Sequence, residues 1–400
     1  MNVPKLRFKE FTDEWTFTTL KDVAIKVNRV ESNNSPIMMI SAEKGFILQS
    51  QKYSKDMTGD SLKKYITLYK NELAYNHGAS KLRPYGSVFM LLEDKARIPF
   101  VYHCFKITNG YNKFFSYYLN RYSFGRLLKP LISSTARMDG LLNISFDNYF
   151  SIKFKIPQLK EQEKIANLLT TVDKKITNLE NTITSLENQK KGLLQQIFSQ
   201  KLRFKDKNGN NYPNWEKKKL GDIGSFSRGG NLSKSDLSKK GTSCILYGEL
   251  YTYYNEFATE IKSKTLNTTN LVLSKKYDVL LPLSGETAED ISTCTCIFFD
   301  DIALGSDLLI FRSSFFDGRF MSLLLKYKYK YKIAQIAQGK SIVHISEKNI
   351  KNINIKIPCI EEQQNIADFI LIFTKKLENQ KAQLEHWKQI KKGLLQQMFV

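Results

Sequence analysis

Apolar side chains fall at Ile165, Leu169, Val172, Ile176, Leu179, Ile183 and Leu186, then at Leu193 and Ile197, with four-three spacing. A second series runs through Ile366, Ile370, Phe373, Leu377, Leu384, Trp387, Leu394 and Met398 in the same register. A stripe of that period predicts a long helix that packs through one seam, as in a coiled coil. Lys190 and Lys391 interrupt the two seams at equivalent places, and Gln380 interrupts the second. Each helix follows a strand-like run that ends in proline, Ile152–Pro157 and Ile353–Pro358, where proline is tolerated at a helix start. Elsewhere the pattern is one of short apolar runs. Residues 65–69, 87–92 and 102–107 read as strands before a helix over 113–128. Residues 271–273, 278–283, 295–299 and 308–311 read as strands before a helix over 316–336. Each of these two segments is an α/β or α+β module.

The helices are copies of one another. Pro157-Gln158-Leu159-Lys160-Glu161-Gln162 recurs as Pro358-Cys359-Ile360-Glu361-Glu362-Gln363, and Lys190-Lys191-Gly192-Leu193-Leu194-Gln195-Gln196 recurs as Lys391-Lys392-Gly393-Leu394-Leu395-Gln396-Gln397. Both matches lie 201 positions apart, so the chain is a duplication. Weaker echoes bracket the modules: Lys5-Leu6-Arg7-Phe8-Lys9 with Lys201-Leu202-Arg203-Phe204-Lys205, Trp15 with Trp215, and Ile144-Ser145 with Ile345-Ser346. Between these brackets the similarity vanishes. A constant frame carrying two unlike modules suits recognition of two different things. The stretch Ile165 to Ile197 would be roughly 50 Å of helix. A pair of such helices, packed antiparallel, would hold the modules apart at a fixed distance, and duplex faces recur every 34 Å or so.

Charge says what would be recognised. The 400 residues carry 61 Lys and Arg against 39 Asp and Glu, a net +22. Residues 21–150 hold 19 basic and 10 acidic side chains, and residues 216–353 hold 20 and 15, so both modules are basic. Such an excess implies a polyanion, nucleic acid or an anionic membrane. The membrane is disfavoured, because no run approaches the roughly 18 apolar residues of a span and the first residues lack a signal-peptide pattern. Five scattered cysteines, Cys104, Cys244, Cys294, Cys296 and Cys359, fit a reducing cytoplasm and form no zinc-finger spacing.

Candidate DNA contacts are cations and amides grouped with loop-forming residues. In the first half they are Lys81, Arg83, Arg126, Lys129 and Arg137. In the second they are Arg228, Asn231, Lys234, Lys239 and Lys240, then Gln338, Lys340 and His344. Ser227-Arg228-Gly229-Gly230-Asn231 supplies small residues that would let backbone approach DNA. Arg137 and Gln338 hold equivalent places in the halves and suit guanine and adenine edges respectively. Catalytic motifs are missing. Gln338-Gly339-Lys340-Ser341 has Ala334 where a phosphate-binding loop needs its first glycine. Glu260-Ile261-Lys262 has no preceding Pro-Asp pair, and there is no Asn/Asp-Pro-Pro-Tyr/Phe tetrapeptide for methyl transfer to an amino group. The sequence therefore offers no catalytic residue, no metal ligand set and no cofactor site.

On the duplicated helices, the Ile156-Pro157 and Ile357-Pro358 helix starts and the two Lys-Lys-Gly-Leu-Leu-Gln-Gln motifs, the chain resembles the specificity subunit of type I restriction-modification systems over essentially its whole length. The resemblance implies an α+β protein in which two globular α/β target-recognition domains are separated by two long antiparallel coiled-coil helices in a pseudo-two-fold repeat. It implies recognition domains at 1–157 and 201–358 and spacer helices at 158–200 and 359–400. It implies a bipartite asymmetric target in double-stranded DNA, and helices that dock two methylation subunits, with restriction subunits joining the assembly. S-adenosylmethionine, ATP and Mg would be bound by those partners. Two other readings stay open at this point: a stand-alone DNA methyltransferase or nuclease with an unfamiliar site, and a coiled-coil scaffold binding DNA without sequence preference.

Overall fold

Two α-helices, Leu159–Phe198 and Ile360–Gln397, account for the two seams. The computed structural model describes residues 3–31, 34–53, 59–81, 83–132, 142–339 and 342–399. The helices have 40 and 38 residues, about 60 Å each at about 1.5 Å per residue. Ile165, Leu169, Val172, Leu179, Ile183 and Leu186 are buried, as are Ile366, Ile370, Leu377, Leu384 and Met398. One seam position moves. Leu194 rather than Leu193 is buried near the end of the first helix, because that end packs into a module core with Ile197, Phe198 and Trp215.

The chain divides into two compact units, residues 1–180 with 382–400 and residues 181–381. Each unit holds one module, the start of the helix that follows it and the end of the other helix. Within each unit the helix segments run antiparallel. In the first, Lys391 meets Asp173 at 2.6 Å and Lys388 meets Glu180 at 3.6 Å; in the second, Lys381 meets Glu187 at 2.6 Å and Lys190 meets Thr374 at 2.8 Å.

The first module is built on a four-stranded antiparallel sheet ordered Ala24–Lys26, His103–Ile107, Leu73–Asn76, Ser87–Met90. Two ribbons, Met38–Ser41 with Gly45–Leu48 and Ile66–Tyr69 with Lys95–Ile98, form separate two-stranded sheets of the same module. The second module has a five-stranded sheet ordered Ser225–Arg228, Leu308–Arg312, Val279–Pro282, Thr295–Ile297, Phe257–Ala258, and a four-stranded sheet containing Thr242–Ile245 and Ala303–Leu304. The modules thus differ in topology as well as in sequence.

What the halves share is the way a module grips its helix. Glu161 is fully buried and receives the Arg7 guanidinium at 2.9 and 2.8 Å; Glu362, equally buried, receives Arg203 at 3.1 and 2.6 Å. Gln162 accepts the Tyr111 amide at 2.9 Å and donates to the Pro157 carbonyl at 2.8 Å, while Gln363 accepts the Asp317 amide at 3.0 Å and donates to Pro358 at 2.9 Å. The Glu-Gln pair in each repeat is therefore a buried docking device. Phe399 packs beside Trp15 and Phe114, and Phe198 beside Phe320, which also touches Trp215. The outer strands pair likewise, Thr16–Thr19 with Lys153–Ile156 and Glu216–Lys219 with Asn354–Ile357.

Three expected elements differ. The helix over 113–128 is two helices, Asn112–Tyr118 and Tyr122–Leu128. The Asn120 side chain bonds both backbone groups of Val88, accepting from its amide at 2.9 Å and donating to its carbonyl, which draws the chain out of helical geometry. The helix over 316–336 is interrupted by a π turn at Leu324–Lys328, which brings the Tyr327 hydroxyl to Glu256 at 3.0 Å and the Lys328 ammonium to the Phe198 carbonyl. Residues 271–273 form no strand, only an isolated bridge from Leu273 to Ala303.

The first module contains an acid-sensitive point. The His103 ring lies 4.5 Å from that of His77, centroid to centroid, and is held at a low pKa of about 4 by burial, by His77 and by Lys26. The unfolded chain takes up this proton near pH 6.5, so it binds more protons than the folded chain between there and about 4. Stability is expected to fall as pH drops through that window, by on the order of 2 kcal/mol from this residue. Thermal unfolding at pH 7.5 and 4.5 checks it; His103→Gln should flatten the difference, and an unchanged pH dependence in that variant counts against it.

Candidate nucleic-acid interface

The second module presents its candidates from a loop whose shape its own backbone dictates. Ser225–Arg228 is an edge strand of the five-stranded sheet, and the chain leaves it through Gly229 and Gly230. A Cβ on Gly229 would lie 1.9 Å from the Gly305 carbonyl oxygen, so no other residue fits there. The close approach these glycines permit is to the protein itself. Gly229 and Gly230 donate to the Leu308 and Leu304 carbonyls at 3.0 and 2.8 Å, and buried Leu232 pins the loop. Asp236 accepts from the Ser233 amide and hydroxyl at 2.8 and 2.9 Å, which fixes the next turn. Arg228, Asn231, Lys234, Lys239 and Lys240 are all exposed on this segment. Among the described residues none of the four cations is drawn into an ion pair.

Gln338 and His344 form a second group. They face each other across an antiparallel bridge, exchanging backbone hydrogen bonds of 2.9 and 2.8 Å, and both are exposed. On its other side His344 lies opposite Ser284, in the pairing of Val343–His344 with Ser284–Gly285. Ser284 Oγ donates to Asp307 at 3.0 Å and stands 2.8 Å from His344 Nδ1. This is not a nucleophile triad. The serine sits between histidine and carboxylate instead of at the end of the relay, and it is only 4% exposed.

The turn at residues 304–307 joins the two groups. Leu304 and Gly305 seat the glycine loop, the Ser306 amide donates to the Leu232 carbonyl at 3.1 Å, and Asp307 holds Ser284. Ser284, Ser306 and Asp307 were not among the sequence candidates. The only signal for them was the turn-like Gly-Ser-Asp before a strand, which by itself says nothing about a partner.

In the first module the candidates differ in character. Lys81 is exposed in a turn closed by reciprocal backbone bonds between Ser80 and Arg83, both 3.1 Å. Arg83 is half-buried and donates to the Asn120 carbonyl at 2.8 Å, with its pKa lowered by burial. It braces the turn against the helix break. Arg126 and Lys129 are exposed, and Arg126 lies 6.0 Å from the Tyr122 ring. Arg83 and Arg126 open onto one cleft of about 1400 Å³, shared with Lys44, Arg121, Lys391 and Lys392. Arg137 and Lys340 lie outside the described residues. Among the described residues no cluster of His, Cys, Asp or Glu is arranged to hold a metal ion, and no helix is long and apolar enough to cross a membrane.

Comparison with known proteins agrees with this organisation. The family profile "Type I restriction modification DNA specificity domain" matches twice, at residues 12–188 and 212–386. The type I restriction enzyme MjaVIII specificity subunit of Methanocaldococcus jannaschii is 23% identical over 68% of this chain and 66% of its own length. The putative MjaX specificity subunit of the same organism is 24% identical over 61% of this chain and 57% of its own. The chain thus aligns with two thirds or less of these relatives' lengths. Among solved structures, the type I S subunit from M. genitalium superposes with a TM-score of 0.61 over 100% of this chain and 99% of that one, at 16% identity. A chain from a structure of type I R-M complex assembly gives 0.52 over 95% and 96%, at 12% identity. These two likenesses establish the fold. With both module-and-helix repeats matched, the chain belongs to the type I restriction-modification DNA specificity family.

Proposed function

We propose that this chain is the sequence-reading, non-catalytic subunit of a type I restriction-modification assembly. Each module reads one half of a bipartite DNA site, and the paired helices set the unread spacer between the halves. The observation that carries this reading is the combination of a duplicated grip with unlike modules. Arg–Glu and Gln–Pro contacts recur in both halves, whereas the sheets and exposed cationic segments they support do not. Two modules of different topology imply an asymmetric target.

The helices also support docking of two copies of one partner, the methylation subunit, with restriction subunits joining afterwards. Gly192 and Gly393 lie inside the long helices, where glycine costs about 1 kcal/mol relative to alanine. A Cβ at Gly192 would meet nothing within 4 Å, and one at Gly393 only the Gln397 side chain at 3.8 Å. Neither glycine is required by its own chain, and close approach of a partner is a reason for both. S-adenosylmethionine, ATP and Mg belong to those partners in this reading.

Methylome sequencing of a host carrying this chain with its methylation subunits tests the proposal. A bipartite asymmetric motif that disappears with the chain is expected. Methyl transfer or cleavage by the purified chain alone would overturn it.

A further inference from the structure

The geometry points to His344 and Gln338 as a base-reading pair that selects an exocyclic amino group, adenine N6 or cytosine N4, with Ser284 and Asp307 fixing the tautomer of His344. The inference rests on the DNA-reading role proposed above and adds to it which atoms discriminate and why.

Ser284, His344 and Gln338 form one cross-strand row. Ser284 is the register partner of His344 on one side and Gln338 on the other, and directly opposed residues project from the same face. The backbone amide and carbonyl of His344 are both spent on Gln338, at 2.8 and 2.9 Å. The backbone under the imidazole is therefore fixed, and the two exposed side chains stand next to each other.

The relay behind the ring assigns its proton. A carboxylate only accepts, so the single Ser284 hydroxyl proton is committed to Asp307 at 3.0 Å. Ser284 Oγ can then only accept from His344 Nδ1, 2.8 Å away, and the ring proton sits on Nδ1. This tautomer of the imidazole carries its lone pair on Nε2. Ser284, at 4% exposure, is closed off from water that could exchange these roles, and the Asp307 backbone is tied by the Leu283 amide at 2.7 Å. An acceptor on Nε2 beside a carboxamide fits a base edge that offers an amino donor. It opposes the O6 of guanine and the O4 of thymine, which are themselves acceptors. A solvated histidine, free to exchange tautomers, would not discriminate in this way. The buried serine and its carboxylate are what turn an exposed imidazole into a reader.

Asp307→Asn tests the assignment. Asp307 has φ +58°, a left-handed conformation that Asn also tolerates, so the backbone is preserved. An amide both donates and accepts, which frees the Ser284 proton and the tautomer with it. In a host expressing the parent methylation subunits, the parent motif should, at one position of the half-site read by residues 212–386, fix the strand that carries the amino-bearing base, accepting A or C there and rejecting the strand-reversed pairs. Asp307→Asn, Ser284→Ala and His344→Ala should each relax that position alone, reducing the preference for amino-bearing bases at least tenfold. Thermal unfolding of each variant separates misfolding from altered reading, and His344→Ala changes an exposed side chain only. A motif unchanged in His344→Ala, or relaxed equally across both half-sites in all three variants, overturns the inference. Absence of any bipartite motif in the parent would instead defeat the underlying DNA-reading role.

Discussion

Arg7→Met is expected to destabilise the chain by about 3–5 kcal/mol, the range seen when one partner of a buried ion pair is removed. Glu161 is fully buried at the start of the first long helix and takes two hydrogen bonds from Arg7. Without Arg7 its side chain retains, among the described residues, only the Trp15 indole at 3.4 Å. Arg203→Met should be worse, because the counterpart indole of Trp215 reaches no hydrogen-bond partner and leaves Glu362 with less. For domains of this size about 2–4 °C of melting temperature accompanies each kcal/mol, so a drop of about 10 °C is expected for Arg7→Met. The double change Arg7→Met with Glu161→Leu should recover most of it, since the loss comes from the stranded carboxylate. Melting of Arg7→Met within 2 °C or so of the parent would show that the pair does not hold module and helix together.

The Glu-Gln pair behind that prediction was visible in the sequence as part of a repeat, but its role was not. A charged residue one turn into an amphipathic helix reads as solvated, and only the fold brings Arg7, far away in the chain, onto it. The helices themselves were legible because their period persists over many turns and the duplication repeats the message. The modules were legible only as a set of short runs. Their helix breaks depend on Asn120 meeting Val88 and Tyr327 meeting Glu256, contacts set by tertiary packing and not by local propensity. Exposure was the other blind spot. Arg83 and Arg126 look alike in sequence, yet one braces a turn from a half-buried position and the other faces solvent. At the interface, Gly, Ser and Asn punctuation marked the loop around Arg228, and a polar turn marked Gln338. The support of His344 comes from Ser284 on a strand and Asp307 in a turn, both distant in sequence, so only the side chain at the surface could be guessed.

Glu256→Gln is expected to cost about 3–5 kcal/mol, whereas Asp173→Asn should cost less than about 1 kcal/mol, although the two carboxylates serve equivalent lysines. Lys391 and Lys190 are counterparts 201 positions apart, as are Asp173 and Thr374. In the first half the counter-ion stands on the helix: Asp173 meets Lys391 at 2.6 Å and accepts the Tyr117 hydroxyl at 2.7 Å, with both charged side chains about a third exposed. In the second half the helix position is Thr374, and the carboxylate comes from the module. Glu256 pairs with Lys190, accepts Tyr327 at 3.0 Å, and the lysine also reaches Thr374 at 2.8 Å. Side-chain exposures of 10% and 2% make this a buried pair. Burial would push the Glu256 carboxyl up, but the charges of Lys190 and Lys326 and the Lys190 hydrogen bond hold it below the usual range. Removing its charge leaves the largely buried Lys190 without this counter-ion. Adding Thr374→Asp to Glu256→Gln should recover most of the loss, by returning the carboxylate to the helix position used in the first half. Melting temperatures of the parent, both single variants and the combined variant decide it; no recovery in the combined variant would mean that the lysine needs Glu256 itself and not merely a charge. If recovery occurs, the two halves of the frame are not interchangeable as they stand. A module of the first type relies on a helix that carries the aspartate, so seating it on the second half requires Thr374→Asp to come with it.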